Sequence, residues 1–188
     1  MRTAMIRTDS AHPTMAYAAD ELRAFLEGTT SLNFIPGKTP VDYSFTLATD
    51  PGLKDTRYAV RVARDGGLTA VTLAGHDEAC VMHAVYEMLE TCGIRFDILG
   101  PVLPARLDLA ALAAGERVTT PFVRRRGIRQ HINFAMDISS YPLAEALEYI
   151  RNMARMRMNH ITFHSYSGQW FGYPAEGGFK HGGNFFYG

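Results

Sequence analysis

The sequence predicts an α+β fold: a mostly antiparallel sheet with two helices on one face through about residue 120, followed by a strand–helix–strand segment of the parallel type. Three observations lead to this prediction. Helix-spaced apolar residues occur in two segments before residue 93, a tight turn links strand candidates at 57–64 and 68–73, and after Pro121 the order changes to strand, helix, strand. The 188 residues suffice for one domain and part of a second.

The composition is that of a globular chain with no charge bias. Hydrophobic residues make up 47% and charged residues 20%, which is enough apolar material for a core. Nineteen basic and nineteen acidic residues cancel, so we expect no nucleic-acid partner. The basic run Arg124–Arg126 is more typical of a solvated loop or an ion pair than of a phosphate site.

No membrane or export segment is recognisable in the sequence. No apolar run reaches transmembrane length, so we expect no membrane partner. The first residues do not resemble a signal peptide, and the expected location is therefore cytoplasmic. Removal of a leader would change that expectation to periplasmic or secreted.

The two helices of the first part are predicted from apolar spacing. The first begins near Pro13 and ends before Gly28; the second has Asp77 and Glu78 in its first turn, where they favour the positive end of the helix dipole, and ends at Gly93. Their apolar positions are Met15, Ala18, Ala19, Leu22, Phe25 and Leu26 in the first helix, and Val81, Met82, Val85, Met88, Leu89 and Cys92 in the second. Cys80 and Cys92 would lie about 18 Å apart along the second helix, too far for a disulfide, so both are expected to be core thiols.

Strand candidates surround these helices. They cover residues 3–7, 43–48, 57–64 and 68–73, and Asp65-Gly66 is expected to form the hairpin turn between the last two. The intervening stretches 29–40 and 100–121 have the composition of loops.

The pattern after Pro121 predicts a parallel βαβ unit. A strand at about 126–134 precedes a helix that Ser139 or Ser140 could cap, with Pro142 in its first turn. The helix ends near Arg157 and carries apolar residues on one face, namely Leu143, Ala146, Leu147, Ile150, Met153 and Ala154. A strand at 160–165 follows, and strands joined in this order run parallel.

Parallel strands are normally covered on both faces and continue through several units. One and a half units cannot form such a sheet. We therefore expect the sequence to be the front piece of a longer protein, with a poorly packed tail after Ser167 and an unpaired edge on the strand at 160–165. The alternative is a small self-sufficient domain.

Three short motifs carry a family resemblance. The helix end at Leu89, Glu90 and Gly93 is followed by Arg95, Phe96 and a turn with Pro101 or Pro104; Arg126-Gly127 opens a strand; and Asn159, Phe163 and His164 mark the next one. Together they resemble the small α/β domain and first barrel strands of β-hexosaminidases, α-glucuronidases and related glycoside hydrolases.

The resemblance implies a domain organisation. Residues 1–120 would form the accessory domain that precedes the catalytic domain in these enzymes, and residues 121–188 the opening strands and helix of an incomplete (β/α)8 barrel. His131 and Phe134 stand where hexosaminidases have an aspartate and a sugar-binding arginine, and Ser167-Gly168 stand in place of acids. These departures imply a divergent, more α-glucuronidase-like relative whose catalytic carboxylates lie beyond residue 188.

Candidate binding residues follow the two barrel-type strands. A βα barrel places function at the carboxyl ends of its strands, where this sequence has His131, Asn133, His164, Tyr166 and Trp170. Polar side chains with an aromatic ring suit a carbohydrate substrate, which has hydroxyl edges and a C–H face. Structural alternatives stay open: His131, Asn133 and His164 as satisfied polar groups, and Trp170 as part of a core.

No cofactor, metal or catalytic acid is assigned. His160 and His164 share a strand face, but no third ligand lies nearby in the sequence. Glycoside hydrolysis generally uses two carboxylates, and neither Asp137 nor Glu176 sits in a recognisable motif. The expected function is the N-terminal part of a hydrolase of O-glycosidic bonds, itself inactive. The alternative is a non-catalytic carbohydrate-binding or structural module.

Overall fold

The computed structural model describes residues 2–36, 40–131 and 137–164, together with the backbone of residues 174–175 and 178–179. The chain forms two compact units, Met1–Asp97 with Pro101–Arg124, and Ile98–Gly100 with Arg125–Gly188. Up to residue 124 the elements are β1 (Arg2–Thr8), α1 (Pro13–Thr29), β2 (Leu32–Phe34), β3 (Tyr43–Thr49), β4 (Tyr58–Asp65), β5 (Leu68–Gly75), α2 (Glu78–Thr91), β6 (Arg95–Asp97), β7 (Gly100–Val102), a 3₁₀ turn (Leu109–Ala111) and β8 (Gly115–Thr119).

The six-stranded sheet of the first unit is mixed. Its order is β2-β1-β3-β5-β4-β8; the three pairings from β2 to β5 are parallel, and β5/β4 and β4/β8 are antiparallel. The prediction of a mostly antiparallel sheet is therefore wrong. Helix α1 returns the chain so that β2 runs parallel to β1, and the β4–β5 hairpin inserts β5 between β3 and β4.

Two edge strands lie in stretches that composition assigned to loops. Strand β2 has three residues and falls within 29–40, and β8 has five residues and falls within 100–121. Four of the five β8 residues are exposed, so this strand has no alternating apolar pattern. Backbone pairing with the neighbouring strand forms it, and such pairing is not visible in local sequence.

The hairpin between β4 and β5 turns one residue later than predicted. Asp65 pairs with Leu68, so Gly66 and Gly67 occupy the two central positions of the turn. Their φ angles are 52° and 94°. Two positive φ angles define the type I′ turn, whose twist matches the flanking strands.

The ends of the two helices have different chemistry. Helix α1 includes Gly28, contrary to prediction, and the Thr29 and Thr30 hydroxyls donate to carbonyls of its last turn. Helix α2 begins at Glu78, so Asp77, expected in the first turn, is its N-cap; the Asp77 carboxylate accepts from the backbone N–H of Cys80 at 2.8 Å. Gly93, with φ of 114°, follows its last turn.

Both helices pack on one face of the sheet and against each other, as predicted. The largest fully buried side chains between the layers include Met15, Leu22, Leu26, Phe45, Leu47, Leu73, Tyr86, Met88 and Leu89. Cys80 and Cys92 are free and buried, which confirms their prediction as core thiols. Burial raises the pKa of each thiol to about 12, so both stay protonated at neutral pH.

The second unit contains a parallel βαβ motif, as predicted. Its elements are β9 (Gly127–His131), a 3₁₀ turn (Ile138–Ser140), α3 (Leu143–Arg155), β10 (His160–His164), β11 (Pro174–Ala175) and β12 (Gly178–Phe179). Strands β9 and β10 pair in parallel, and β11 and β12 form a short antiparallel pair. Among the described residues, β10 pairs with β9 alone. The predicted continuation of β9 to residue 134 and most of the tail after Ser167 lie outside the described residues.

Helix α3 starts and packs differently from the prediction. Pro142 occupies its N-cap position without a side-chain cap, and Ser140 lies in the preceding 3₁₀ turn. Three of its apolar residues, Leu143, Leu147 and Ile150, are 71%, 43% and 45% exposed. Among the described residues the sheet beside α3 has two strands, and two strands about 5 Å apart cover only part of a helix, which accounts for this exposure.

The buried face of α3 is partly polar. Asn152, Met153 and Arg155 are its buried residues. Arg155 donates to Glu148 at 2.6 Å and to Asn152 at 2.9 Å, and Asn152 donates to the carbonyl of Ile98 at 3.2 Å. These bonds satisfy the buried polar groups. None of the helices in the described part of the chain has the length and hydropathy of a membrane span.

We expect the N-cap of α2 to stabilise the first unit through its hydrogen bond. Asp77→Ala should lower the free energy of unfolding by about 1 kcal/mol, because the backbone N–H of Cys80 loses its acceptor. Urea unfolding followed by circular dichroism measures the change. Asp77→Asn keeps an acceptor and is the matched control. An equal loss in both variants would assign the effect to charge instead of the hydrogen bond.

Candidate functional site

Strand pairing in the second unit sorts the side chains of β9 and β10 onto two faces. In register, His160 pairs with Gly127, Thr162 with Arg129, and His164 with His131. Since side chains alternate along a strand, Arg129 and His131 share a face with His160, Thr162 and His164. We call this set the polar face. Ile128, Gln130, Ile161 and Phe163 lie on the opposite face.

A backbone contact at the start of the strands sets this register. The Asn159 side chain accepts from the Arg126 N–H at 2.9 Å, while the N–H groups of Asn159 and His160 both donate to the Arg126 carbonyl. At Gly127 the chains approach so closely that a Cβ atom would overlap the carbonyl oxygen of His160. We call these four residues the strand-start clasp. It explains why glycine stands at position 127.

The register brings two predicted binding residues together. The ring centroids of His131 and His164 lie 5.2 Å apart at an interplanar angle of 51°. Both rings are half-buried at the carboxyl ends of adjacent parallel strands. In this position the two imidazoles can hydrogen-bond neighbouring groups of one ligand.

The opposite face anchors the strands to α3. Gln130 is buried, and its amide donates to the Tyr149 hydroxyl at 2.7 Å. Tyr149 in turn forms an edge contact with Tyr141, with ring centroids 6.3 Å apart. Since His131 follows Gln130 directly, this bond holds the backbone from which the His131 ring projects.

His164 has a lowered pKa. Burial is the largest cause, and the nearby charges of Arg129 and His131 lower it further. The ring is therefore neutral at pH 7, with one nitrogen donating and the other able to accept. Because the folded-state pKa lies below the ordinary value, the neutral ring's contribution to stability is present above about pH 6.5 and is lost as pH falls through the folded pKa.

At the start of β10, His160 has a separate environment. Its Nε2 atom and the Thr162 hydroxyl are 2.8 Å apart and form a hydrogen bond, and both side chains are exposed. Within the described residues, no three His, Cys, Asp or Glu side chains group as metal ligands.

Three acidic residues of the second unit, Asp137, Glu148 and Glu176, come into consideration for a catalytic role. Asp137 is buried before α3, and Glu176 lies outside the described residues. The Glu148 side chain is 45% exposed, and it pairs with Arg155 at 2.6 Å and with Arg151 at 3.3 Å. Burial alone would raise the pKa of Glu148, but the bonds from the two arginines outweigh it and lower the value. It behaves as a structural carboxylate.

The structure describes two of the five predicted binding residues. Asn133, Tyr166 and Trp170 lie outside the described residues. Arg129 was not among the predicted binding residues. It shares the polar face, and its charge lowers the pKa of His164. The signal was present in the sequence, because Arg129 precedes His131 by two positions in an alternating strand.

Comparison with known proteins shows similarity in fold. The chain matches no family model and no curated protein sequence. A family GH115 4-O-methyl-α-glucuronidase with specificity for decorated arabinogalactans matches with a TM-score of 0.57 and 14% identity, over 88% of this chain and 25% of that chain. A family GH138 enzyme targeting pectin rhamnogalacturonan II gives 0.54 and 15%, over 86% and 24%.

A β-N-acetylhexosaminidase from Bacteroides fragilis matches with a TM-score of 0.51 and 14% identity, over 87% of this chain and 28% of that chain. The chain thus spans about a quarter of the length of these three structures. At this identity the likeness is one of fold. The chain therefore shares its fold with part of these glycoside hydrolase structures.

We expect Gly127 to be indispensable for the pairing of β9 and β10. Gly127→Ala should destabilise the second unit by about 2 kcal/mol, because the added methyl group meets the His160 carbonyl. Amide hydrogen exchange of β9 under native conditions measures the effect. Gly28→Ala is the control, since a methyl group there meets no atom within 4 Å. Unchanged exchange in Gly127→Ala would contradict the close approach.

We expect Arg129 to contribute to the lowered pKa of His164. Arg129→Gln should raise that pKa towards the ordinary value, because it removes a positive charge that disfavours protonation. An NMR titration of the histidine ring protons measures the shift. Arg125→Gln, an exposed charge before the strand, should leave the titration unchanged. Identical curves for Arg129→Gln and the parent would refute the interaction.

Proposed function

We propose that this chain belongs to a glycoside hydrolase, in which residues 1–120 form an accessory domain and residues 121–188 open a (β/α)8 catalytic barrel. The ends of β9 and β10 form one wall of the sugar-binding site. His131 and His164 bind substrate hydroxyls, and Asn133, Tyr166 and Trp170 contribute to the same wall.

One observation carries the proposal: two imidazoles lie side by side at the carboxyl ends of adjacent parallel strands. The carboxyl ends are where βα folds place their functional groups. A neutral His164 suits a sugar ligand, because a hydroxyl both donates and accepts hydrogen bonds. The similarity to glycoside hydrolase structures supports the reaction class.

In this proposal the described residues bind the substrate and take no part in acid–base chemistry. Glu148 forms ion pairs with two arginines on α3, and we assign a catalytic role to none of the carboxylates among the described residues. Hydrolysis by the usual routes requires two carboxylates across the scissile bond. The proposal therefore places both of them on parts of the protein beyond residue 188.

Consequently, the 188-residue chain alone should not hydrolyse aryl glycosides. A panel of 4-nitrophenyl glycosides, including glucuronides and N-acetylglucosaminides, tests this expectation by release of nitrophenolate. Robust turnover by the purified chain would show that a pair of catalytic carboxylates lies within it. That result would overturn the proposal that these residues only bind the substrate.

In the full-length protein, His164→Ala should lower kcat/KM by about tenfold or more, because a substrate hydroxyl loses its partner. The melting temperature should change little, since the ring is only half-buried at a strand end. His160→Ala is the matched control: this residue is exposed at the opposite end of the same strand.

Two outcomes would contradict the proposed role of His164. Equal kinetics in His164→Ala and His160→Ala would remove His164 from the site. A much lower melting temperature with unchanged kinetics would make it a core histidine. Specific sugar binding by a full-length protein without turnover on any glycoside would favour the alternative, a non-catalytic carbohydrate-binding module.

A further inference from the structure

The first unit has a cavity of about 370 Å³ where the end of α1, the start of β1 and residues 106–110 meet. Its volume falls within the range of small-molecule sites. Three buried side chains, Leu32, Tyr43 and Leu107, contribute to its lining. The exposed side chains of Arg2, Arg106 and Asp108 line it as well.

Internal hydrogen bonds hold the walls of the cavity in place. The N–H of Leu107 donates to the Thr29 carbonyl at 3.1 Å, and the N–H of Leu32 donates to the Thr30 hydroxyl at 3.2 Å. Arg2 donates to the Tyr43 hydroxyl at 3.1 Å. The cavity is therefore largely pre-formed, and a ligand would need little reordering of the protein to bind.

The charged side chains that line the cavity differ in the partners they have. Arg2 lies near Asp42, and Asp108 accepts the backbone N–H of Ala110 at 3.0 Å. No hydrogen bond or ion pair joins Arg106 to another residue in the described part of the chain. Its guanidinium group is the available partner for an anionic ligand, and guanidinium binds a carboxylate in a two-pronged geometry.

The apolar and polar groups that line the cavity together indicate which chemical class of ligand it could bind. Leucine side chains suit the C–H face of a pyranose ring, and arginine, aspartate and tyrosine suit its hydroxyl edge. We propose that this cavity is a carbohydrate-binding site that takes a single uronic-acid residue, with the sugar ring against Leu32 and Leu107 and its carboxylate on Arg106. The inference does not depend on the proposed function, because it concerns other residues in the other unit.

An NMR titration of the ¹⁵N-labelled 188-residue chain tests the site. Three probes are compared: methyl β-D-glucuronide, methyl β-D-glucoside as its neutral match, and acetate as a plain carboxylate. The glucuronide should shift the amide signals of Leu32, Tyr43 and Leu107 in a saturable manner. It should bind about tenfold more tightly than the other two probes, the usual effect of one charge-assisted hydrogen bond.

Variants separate the site from general charge effects. Arg106→Gln should weaken glucuronide binding about tenfold, while Arg95→Gln, another exposed arginine that does not line the cavity, should leave it unchanged. Absence of saturable shifts at these amides would overturn the proposal. So would equal binding of acetate, equal binding of the neutral glucoside, or unchanged binding by Arg106→Gln.

Discussion

The close approach of two backbones at Gly127 is the constraint on which the second unit depends. Without a side chain at this position, the His160 carbonyl can lie where a Cβ atom would be, and Asn159 and Arg126 then close the strand-start clasp around it. The clasp fixes which residues face each other along β9 and β10. Four residues further on, that register places His131 beside His164. The candidate site is thus a consequence of backbone packing at the other end of the strands.

The two faces of this strand pair serve different purposes. Gln130 lies on the face that contacts α3, where the Tyr149 hydroxyl accepts from its buried side-chain amide. The polar face instead carries histidine, arginine and threonine side chains, which are not the residue types that usually form a hydrophobic core. If β10 slipped by one residue relative to β9, its two histidines and Thr162 would move to the face that contacts α3. Structure and candidate function therefore rely on the same register.

Local patterns in the sequence predicted most elements but not their arrangement. The apolar stripe of α2 and the strand at 160–164 depend on neighbouring residues, and both occur as predicted. Asp77, expected in the first turn of α2, is instead its N-cap. Sheet order is set by long-range pairing, which is why the parallel pairings and the edge strand β8 were missed. For the site, His131 and His164 were predicted from their positions at the carboxyl ends of the two strands. The influence of Arg129 on His164 needed the cross-strand register.

The candidate site depends on the register that pairs His131 with His164, and nuclear Overhauser effects between the two rings test this pairing. In the chain with labelled histidines, we expect cross-peaks between ring protons of these two residues, whose centroids lie 5.2 Å apart. We also expect backbone cross-peaks between Gly127 and His160 at the other end of the strands. Contacts of the His131 ring with Phe163, and none with His164, would show that the strands pair one residue out of this register.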